Sequence, residues 1–391
     1  MRIRYSALSC KSFLHSNMAA HLWLRAECKP LERRAHLTPE KCKELVDAGF
    51  KVTVESSDQR IFKNEEYASI AGVEVLAPGI TWEKAAPKDA IILGLKNLPY
   101  DDTSPISQHH VFFAHAYKDQ PGAKEVIGRF TRGGGAILDI EYMLNEEGRR
   151  EVAEFSPIAG QVGMALGIAG WCHQQLGERM PSVSPYDSEA LLVQHVQSLL
   201  KRLAKQKGVA EVYPTIIVLG ALGRCGKGSL DMAKKIGIPK SHIAEWDLEE
   251  TKAGGPFKEI LNYDIFVNDI FLLSKIPPFL TKDMLDTDDR KLTMVVDVSC
   301  DIGNPNNPVP FIENATTPTK PVDVLPLSKC SKPLELMAID FLPSMLPREA
   351  SFRFANKMTP CLMKIAKMDE AICWSSAKKA FQDKAKEFGL I

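Results

Sequence analysis

Thr215-Ile-Ile-Val-Leu-Gly-Ala-Leu-Gly-Arg-Cys-Gly-Lys-Gly228 joins a short apolar run to a glycine-rich turn. A helical pattern follows to Ile236, and the next strand ends at Trp246-Asp247. Strand, glycine turn, helix and an acid about 20 residues beyond the last glycine form the context of a dinucleotide-binding unit. The spacing is G-x-x-G-x-x-G rather than G-x-G-x-x-G, so the context carries more weight than the glycines. Glycines let a pyrophosphate approach the backbone, and the helix N-terminus supplies N–H donors and positive potential. Asp247 is placed to accept hydrogen bonds from the adenosine ribose hydroxyls. An acid there repels a 2′-phosphate, which favours NAD over NADP, and nearby Lys252 softens that preference.

Outward from this unit the chain keeps alternating. Leu22–Ala26 reads as a strand; Thr38-Pro39-Glu40 is an N-cap with proline at the first helical position, and the helix stops at Gly49. Strands follow over 51–55, into Lys96, into His115 and over 136–140, with a helix over 123–131. Residues 158–171, rich in small side chains, suit a tightly packed helix and are expected to connect two domains; 177–187 reads as an exposed loop. Further strands cover 263–268 and 291–298, and an amphipathic stretch closes the chain. The pattern predicts an α/β fold of two doubly wound, Rossmann-like domains with parallel sheets flanking a cleft.

In open α/β sheets ligands collect outside the carboxyl ends of the strands. Ile91-Ile92-Leu93-Gly94-Leu95 delivers Lys96, and Val111-Phe112-Phe113-Ala114 delivers His115, followed by Tyr117-Lys118-Asp119-Gln120. A lysine and a histidine at the ends of successive strands point to acid–base chemistry in one pocket. Ser299, Cys300 and Asp301, at the end of the 291–298 strand, are expected to face the cofactor cleft and the substrate.

The chain has 391 residues, 45% of them hydrophobic, with Lys+Arg and Asp+Glu both at 49. There is no global field to attract nucleic acid or an anionic membrane, and a small-molecule substrate fits better. Nine scattered cysteines with no C-x-x-C argue against a disulfide framework or a structural metal, and no run approaches the ~18 apolar residues of a membrane span. The first 17 residues are basic and serine-bearing and have no acid, which hints at a transit peptide; Met18-Ala-Ala opens an alternative cytoplasmic start. Residues 1–17 are read as a disordered extension. A cytoplasmic protein is expected, with mitochondrial as the alternative. Nothing demands an oligomer, so a monomer is expected.

The runs 22–30, 31–35, Gly94-Leu-Lys96, 113–120, 148–150, 220–226 and 346–350 closely resemble the NAD-dependent, L-lysine-forming saccharopine dehydrogenase family, in order, over roughly residues 18–349. The family belongs to the alanine dehydrogenase and transhydrogenase superfamily. The resemblance implies a substrate domain of 18–154 plus 341–391 and an NAD-binding domain of 155–340. It implies oxidative cleavage of saccharopine by NAD and water to lysine, 2-oxoglutarate and NADH, the last step of the aminoadipate route to lysine. Lys96 is then the amine base and His115 the acid–base group of imine hydration and collapse. Arg34 and Arg150 would hold substrate carboxylates, with Gln120 and Phe155 lining the pocket. Arg149, Gly223, Arg224, Asp247, Thr251, Val298 and Ile339-Asp340-Phe341-Leu342 match the NAD contacts, and Glu141 is an acidic neighbour of the catalytic pair. Phe271 and Phe341 stand at cofactor positions where a tyrosine and a histidine are expected. Asn97 replaces a glutamate beside the lysine. Asp269 replaces a cysteine that could pair with Cys225, so that disulfide cannot form; Cys225 is read as inert. The other readings are a related amino-acid dehydrogenase and an NAD-binding regulatory protein without turnover.

Overall fold

The computed structural model describes residues 20–99, 101–117, 120–150 and 152–391. The extension at 1–17, and Lys118-Asp119 of the His115 motif, lie outside the described residues.

The first unit runs β1 (His21–Leu24), α1 (Pro39–Asp47), β2 (Lys51–Val54), α2 (Asn64–Ala68), β3 (Val73–Val75) and α3 (Trp82–Ala85). It continues through β4 (Ile91–Leu93), β5 (His109–Phe112), α4 (Ala123–Gly133) and β6 (Ala136–Asp139). Its helix starts follow local chemistry: the Thr38 side chain accepts from the Lys41 N–H at 3.3 Å, and Pro39 fills the first turn. The strands form one parallel sheet in the order β3-β2-β1-β4-β5-β6. Apolar Ile91-Ile92-Leu93 is buried throughout because helices cover both faces of this sheet.

The second unit contains α5 (Ser156–Gln175), α6 (Glu189–Lys207), β7 (Ile216–Leu219), α7 (Arg224–Ile236), β8 (Ile243–Trp246) and α8 (Leu248–Thr251). Then come β9 (Ile265–Asn268), α9 (Lys282–Leu285), β10 (Met294–Asp297), β11 (Asp323–Val324) and β12 (Glu335–Met337). Its sheet has the order β11-β12-β10-β9-β7-β8 and is parallel except at its edge, where β11 runs antiparallel to β12. The expectation of mostly parallel sheets holds, and the one antiparallel pairing lies at this edge, where the chain returns without a crossover helix.

The 158–171 stretch is more than a connection. As part of α5 it lies in the core of the second unit, with Val162, Leu166 and Ile168 packed among Val218, Val267 and Val296. Helix α6 has no counterpart in the expected elements, although Ser188 caps its start and left-handed Gly208 its end. After β12 the chain returns to the first sheet as α10 (Pro347–Leu362) and α11 (Ile372–Glu387). Phe354, Met358 and Trp374 join the core around Leu24, Leu93 and Val111. Phe381 and Ala385 pack with Trp23, Ile92 and Phe130 on the other face.

Candidate active site

Strand order reverses in the first sheet between β1 and β4, and the segments that leave those two strands form its crevice. Lys96 is the third residue beyond β4. Its backbone is held from β1: the Glu27 carboxylate accepts the Leu95 N–H at 2.7 Å and the Lys96 N–H at 2.9 Å, and the Arg25 guanidinium donates to the Lys96 carbonyl. A side chain at Gly94 would occupy the space of the Arg25 guanidinium, so glycine is required for this clamp. The lysine itself is 8% exposed.

His115 is the third residue beyond β5. The Asp139 carboxylate accepts the Ala114 N–H at 3.1 Å, and the Phe113 ring stacks on the imidazole with centroids 6.3 Å apart. His115 has φ of 49°, a left-handed conformation uncommon for a residue with a Cβ and often found at functional sites. Together with Phe113, Ile140, Glu141, Arg150, Ala153, Phe155 and Ser156 it lines a cavity of about 410 Å³.

Burial pushes the Lys96 amine down to about 8, helped by the positive Arg34 and Lys29 and opposed by Glu32 and Asp340. Burial also lowers His115, helped by the charge on Lys96 and opposed by Glu141 and Asp340. A buried amine and an imidazole that both have lowered pKa values are suited to proton transfer near neutral pH. Asn97, being uncharged, adds nothing to this balance of charges. The acidic counterweights come from Glu32 and from Asp340, and Asp340 arrives from the second unit, just beyond β12.

Several contacts bring the two units together around this crevice. Lys29 lies over the Phe341 ring at 5.5 Å, Arg34 over the Phe155 ring at 4.5 Å, and the Ser344 hydroxyl is 3.4 Å from both Glu32 carboxylate oxygens. Glu32 also takes the Arg34 fork, accepting from Nε at 2.8 Å and Nη2 at 2.6 Å. The expectation of Arg34 as an open carboxylate fork is corrected accordingly: its bidentate edge serves an internal acid, leaving Nη1 for other acceptors. Arg150 is exposed over the Tyr142 ring at 4.7 Å and faces the cavity of His115. Gln120 is half-buried.

The second sheet reverses order between β7 and β9, and the glycine turn leaves β7 there. Gly223 is the N-cap of α7 and supplies no side-chain cap, so the first-turn N–H groups of the helix stay open to a ligand. A Cβ at Gly226 would run into the Gly220 carbonyl, which shows how closely the helix is drawn onto the strand end. Asp247 follows β8; its carboxylate accepts the Leu222 N–H at 2.8 Å and the Leu248 N–H at 2.9 Å. Leu222, Leu248, Phe271 and Leu273 are all exposed large apolar side chains at this edge of the sheet, fit to flank a planar ring. These residues suit NAD: glycines and helix-start N–H groups for a pyrophosphate and an acid for ribose hydroxyls, with nearby Lys252 ion-paired to Glu249 at 2.7 Å.

Other expected cofactor residues have their side chains spent elsewhere. Thr251 is buried and its hydroxyl donates to the Asp247 carbonyl at 2.7 Å. Val298, Ile339 and Leu342 are buried in the apolar core. Arg149 and Arg224 are exposed. Ser299 donates to the Ile270 carbonyl at 2.6 Å, Asp301 accepts from Asn304 at 2.6 Å, and Cys300 has φ of 48° with its thiol pushed up to about 12 by burial. Burial likewise raises Cys225 to about 12, overriding its place at a helix start. Arg25, Glu27 and Glu32 carry no role in the sequence reading. Their only signal is charge in a run that otherwise enters a buried strand end.

A family model for the alanine dehydrogenase/PNT N-terminal domain matches residues 23–162. The NAD(+), L-lysine-forming saccharopine dehydrogenase of Emericella nidulans is 48% identical over 370 residues, 93% of this chain and 96% of that protein. The same enzyme of Schizosaccharomyces pombe is 46% identical over 367 residues, 93% and 98% of the two chains. Among solved structures, an L-alanine dehydrogenase superposes with a TM-score of 0.63 at 16% identity, covering 93% of each chain. The transhydrogenase from Sinorhizobium meliloti gives 0.58 at 17% identity, covering 90% of this chain and 96% of that one. These two likenesses show the fold.

Proposed function

The chain belongs to the NAD-dependent, L-lysine-forming saccharopine dehydrogenase family, and from that premise we propose how its cleft cleaves saccharopine with NAD and water to L-lysine, 2-oxoglutarate and NADH. The observation that carries the reading is Lys96: a buried amine with its pKa brought to about 8, beyond a strand at the switch point of a sheet, with its charge felt by His115.

The glycine turn and Asp247 would hold NAD, which would supply the hydride acceptor for the carbon beside the secondary amine. Lys96 Nζ takes the amine proton, for which it must be neutral, a state that burial makes accessible near pH 8. His115 stays neutral at pH 7 because its pKa is held below the ordinary value. It can therefore accept a proton from the water that adds to the imine, then return one to the nitrogen as the carbinolamine collapses. Glu141 and Asp340 stabilise the imidazolium formed in between. Arg150 binds one substrate carboxylate, and the free Nη1 of Arg34 a second. Phe155 and Gln120 wall the pocket, and Ser299, Cys300 and Asp301 close it from the second unit. Arg149, Arg224, Gly223, Asp247 and Phe271 serve the cofactor, with residues 339–342 and 298 shaping its seat. Residues 18–154 with 341–391 thus act as the substrate domain and 155–340 as the NAD domain.

The test is a substrate panel followed by NADH absorbance. Saccharopine should support turnover, and lysine plus 2-oxoglutarate should consume NADH, whereas alanine should do neither. NADH formation from alanine with none from saccharopine would overturn the assignment.

A further inference from the structure

Cys361 and Cys373 are both free and lie on either side of the turn between α10 and α11. Both pack into the same hydrophobic core, and each thiol bears on the acidity of the other. They line one cavity of about 170 Å³ with Leu144, Asn145, Glu146, Val152 and Lys364. The Trp374 indole donates to the Cys361 carbonyl at 2.7 Å and fixes the two positions relative to each other. We propose that Cys361 and Cys373 form a reversible dithiol–disulfide site, oxidised by a small hydroperoxide, whose closure alters the seating of the loop that presents Arg150 to the cleft.

The other cysteines with resolved shifts, Cys42, Cys172, Cys225 and Cys300, are each pushed up to about 12 and are poor nucleophiles. Cys373 differs: the Cys361 thiol donates to it and, with the Lys364 ammonium nearby, favours its thiolate. The thiolate attacks the terminal oxygen of the O–O bond, forming a sulfenic acid and releasing the other oxygen as alkoxide, or as hydroxide from hydrogen peroxide, which takes up the proton that Cys373 lost. The Cys361 sulfur then displaces the sulfenic oxygen as water. Two thiols lose two electrons and two protons, and one hydroperoxide is reduced to water and its hydroxyl product.

A disulfide brings the sulfurs to about 2.05 Å, so its closure draws the end of α10 toward the start of α11. Lys364 moves with that end, and Lys364 is ion-paired to Glu146 at 2.5 Å. The Leu144 N–H is tied to the Ser376 hydroxyl at 3.1 Å. Between them, Asn145 caps the N–H groups of Glu147 and Arg149, so the turn up to Arg150 moves as one piece.

The full chain is treated with equimolar hydrogen peroxide, alkylated and mapped by mass spectrometry, then assayed. The expected result is one cross-link between Cys361 and Cys373, reversed by dithiothreitol. The KM for saccharopine should rise at least threefold while kcat and the KM for NAD stay within twofold. C361S, at a half-buried position, should give neither the cross-link nor the KM change, and C373S should agree with it. Independent alkylation of both thiols after oxidation overturns the site. A cross-link with unchanged KM overturns the coupling to the Arg150 loop. The kinetic arm rests on the proposed reaction, but the cross-link does not: an oxidised pair in a chain inert toward saccharopine would sink that reaction alone.

Discussion

The two sheets each reverse their strand order once, and the two crevices formed there are built from opposite materials. Around β1 and β4 the strand ends are crowded with charge: Arg25, Glu27, Lys29, Glu32, Arg34 and Lys96 all lie within ten residues of a strand end. Around β7 and β9 side chains are withdrawn, and Gly220, Gly223 and Gly226 leave bare backbone at a helix start. Topology supplies a pocket in both cases, while the residue types decide whether it offers titratable groups or N–H donors. Chemistry on a small substrate needs the first, and a pyrophosphate needs the second.

Removing the amine from the charged crevice should separate the two most sharply. Lys96→Met is expected to lower turnover by ~10²–10⁴-fold, the usual worth of a general base, while NADH binding by fluorescence titration stays unchanged. Normal turnover in that variant breaks the division of labour. In the bare crevice, Gly226→Ala should do the reverse. Its methyl must displace the Gly220 turn, at a cost of about 1–3 kcal/mol typical of overpacking, read as a lower Tm and a raised KM for NAD with the saccharopine KM preserved.

Glu27→Gln tests whether charge in the first crevice also positions. Weakening a buried charged acceptor of two N–H groups costs about 1–3 kcal/mol, so kcat should fall by roughly tenfold or more, with little change in the pH profile. A shift of the profile with kcat intact would show that Glu27 acts through charge instead.

The pH profile itself follows from Lys96. The base must be neutral, so the rate of saccharopine oxidation should rise with pH and level above about pH 8. Glu32 stabilises the ammonium, so Glu32→Gln should move this limb toward acid and raise the relative rate at pH 7. The gain should be less than about tenfold, since tenfold would need a full unit of pKa change. A shift toward alkaline pH would mean that Glu32 acts mainly by restraining Arg34.

Much of the bare crevice was legible in the chain, because a glycine turn, the helix that follows and an acid at the next strand end are local in sequence. The positions of Lys96 and His115 at strand ends were equally readable from the apolar runs before them. The surroundings of Lys96 were not. Glu32 meets Ser344 across more than three hundred residues, and Asp340 approaches from the other sheet. Helix α5 reads as a connection because its small, apolar residues carry no periodic polar face; only its packing among β9, β10 and α7 shows it to be core. Helix α6 is marked in the sequence by Ser188, Gly208 and leucines at helical spacing, all of them local signals.

The alternation of strands and helices, the nature of each crevice and the placement of Lys96 and His115 just beyond strand ends were determined by the sequence, since caps, turns and apolar runs act over a few residues. The acidity of Lys96, the engagement of Arg34 by Glu32 and the meeting of Cys361 with Cys373 were decided by the tertiary structure. They depend on burial and on charges brought from distant segments, and neither quantity exists until the chain is packed.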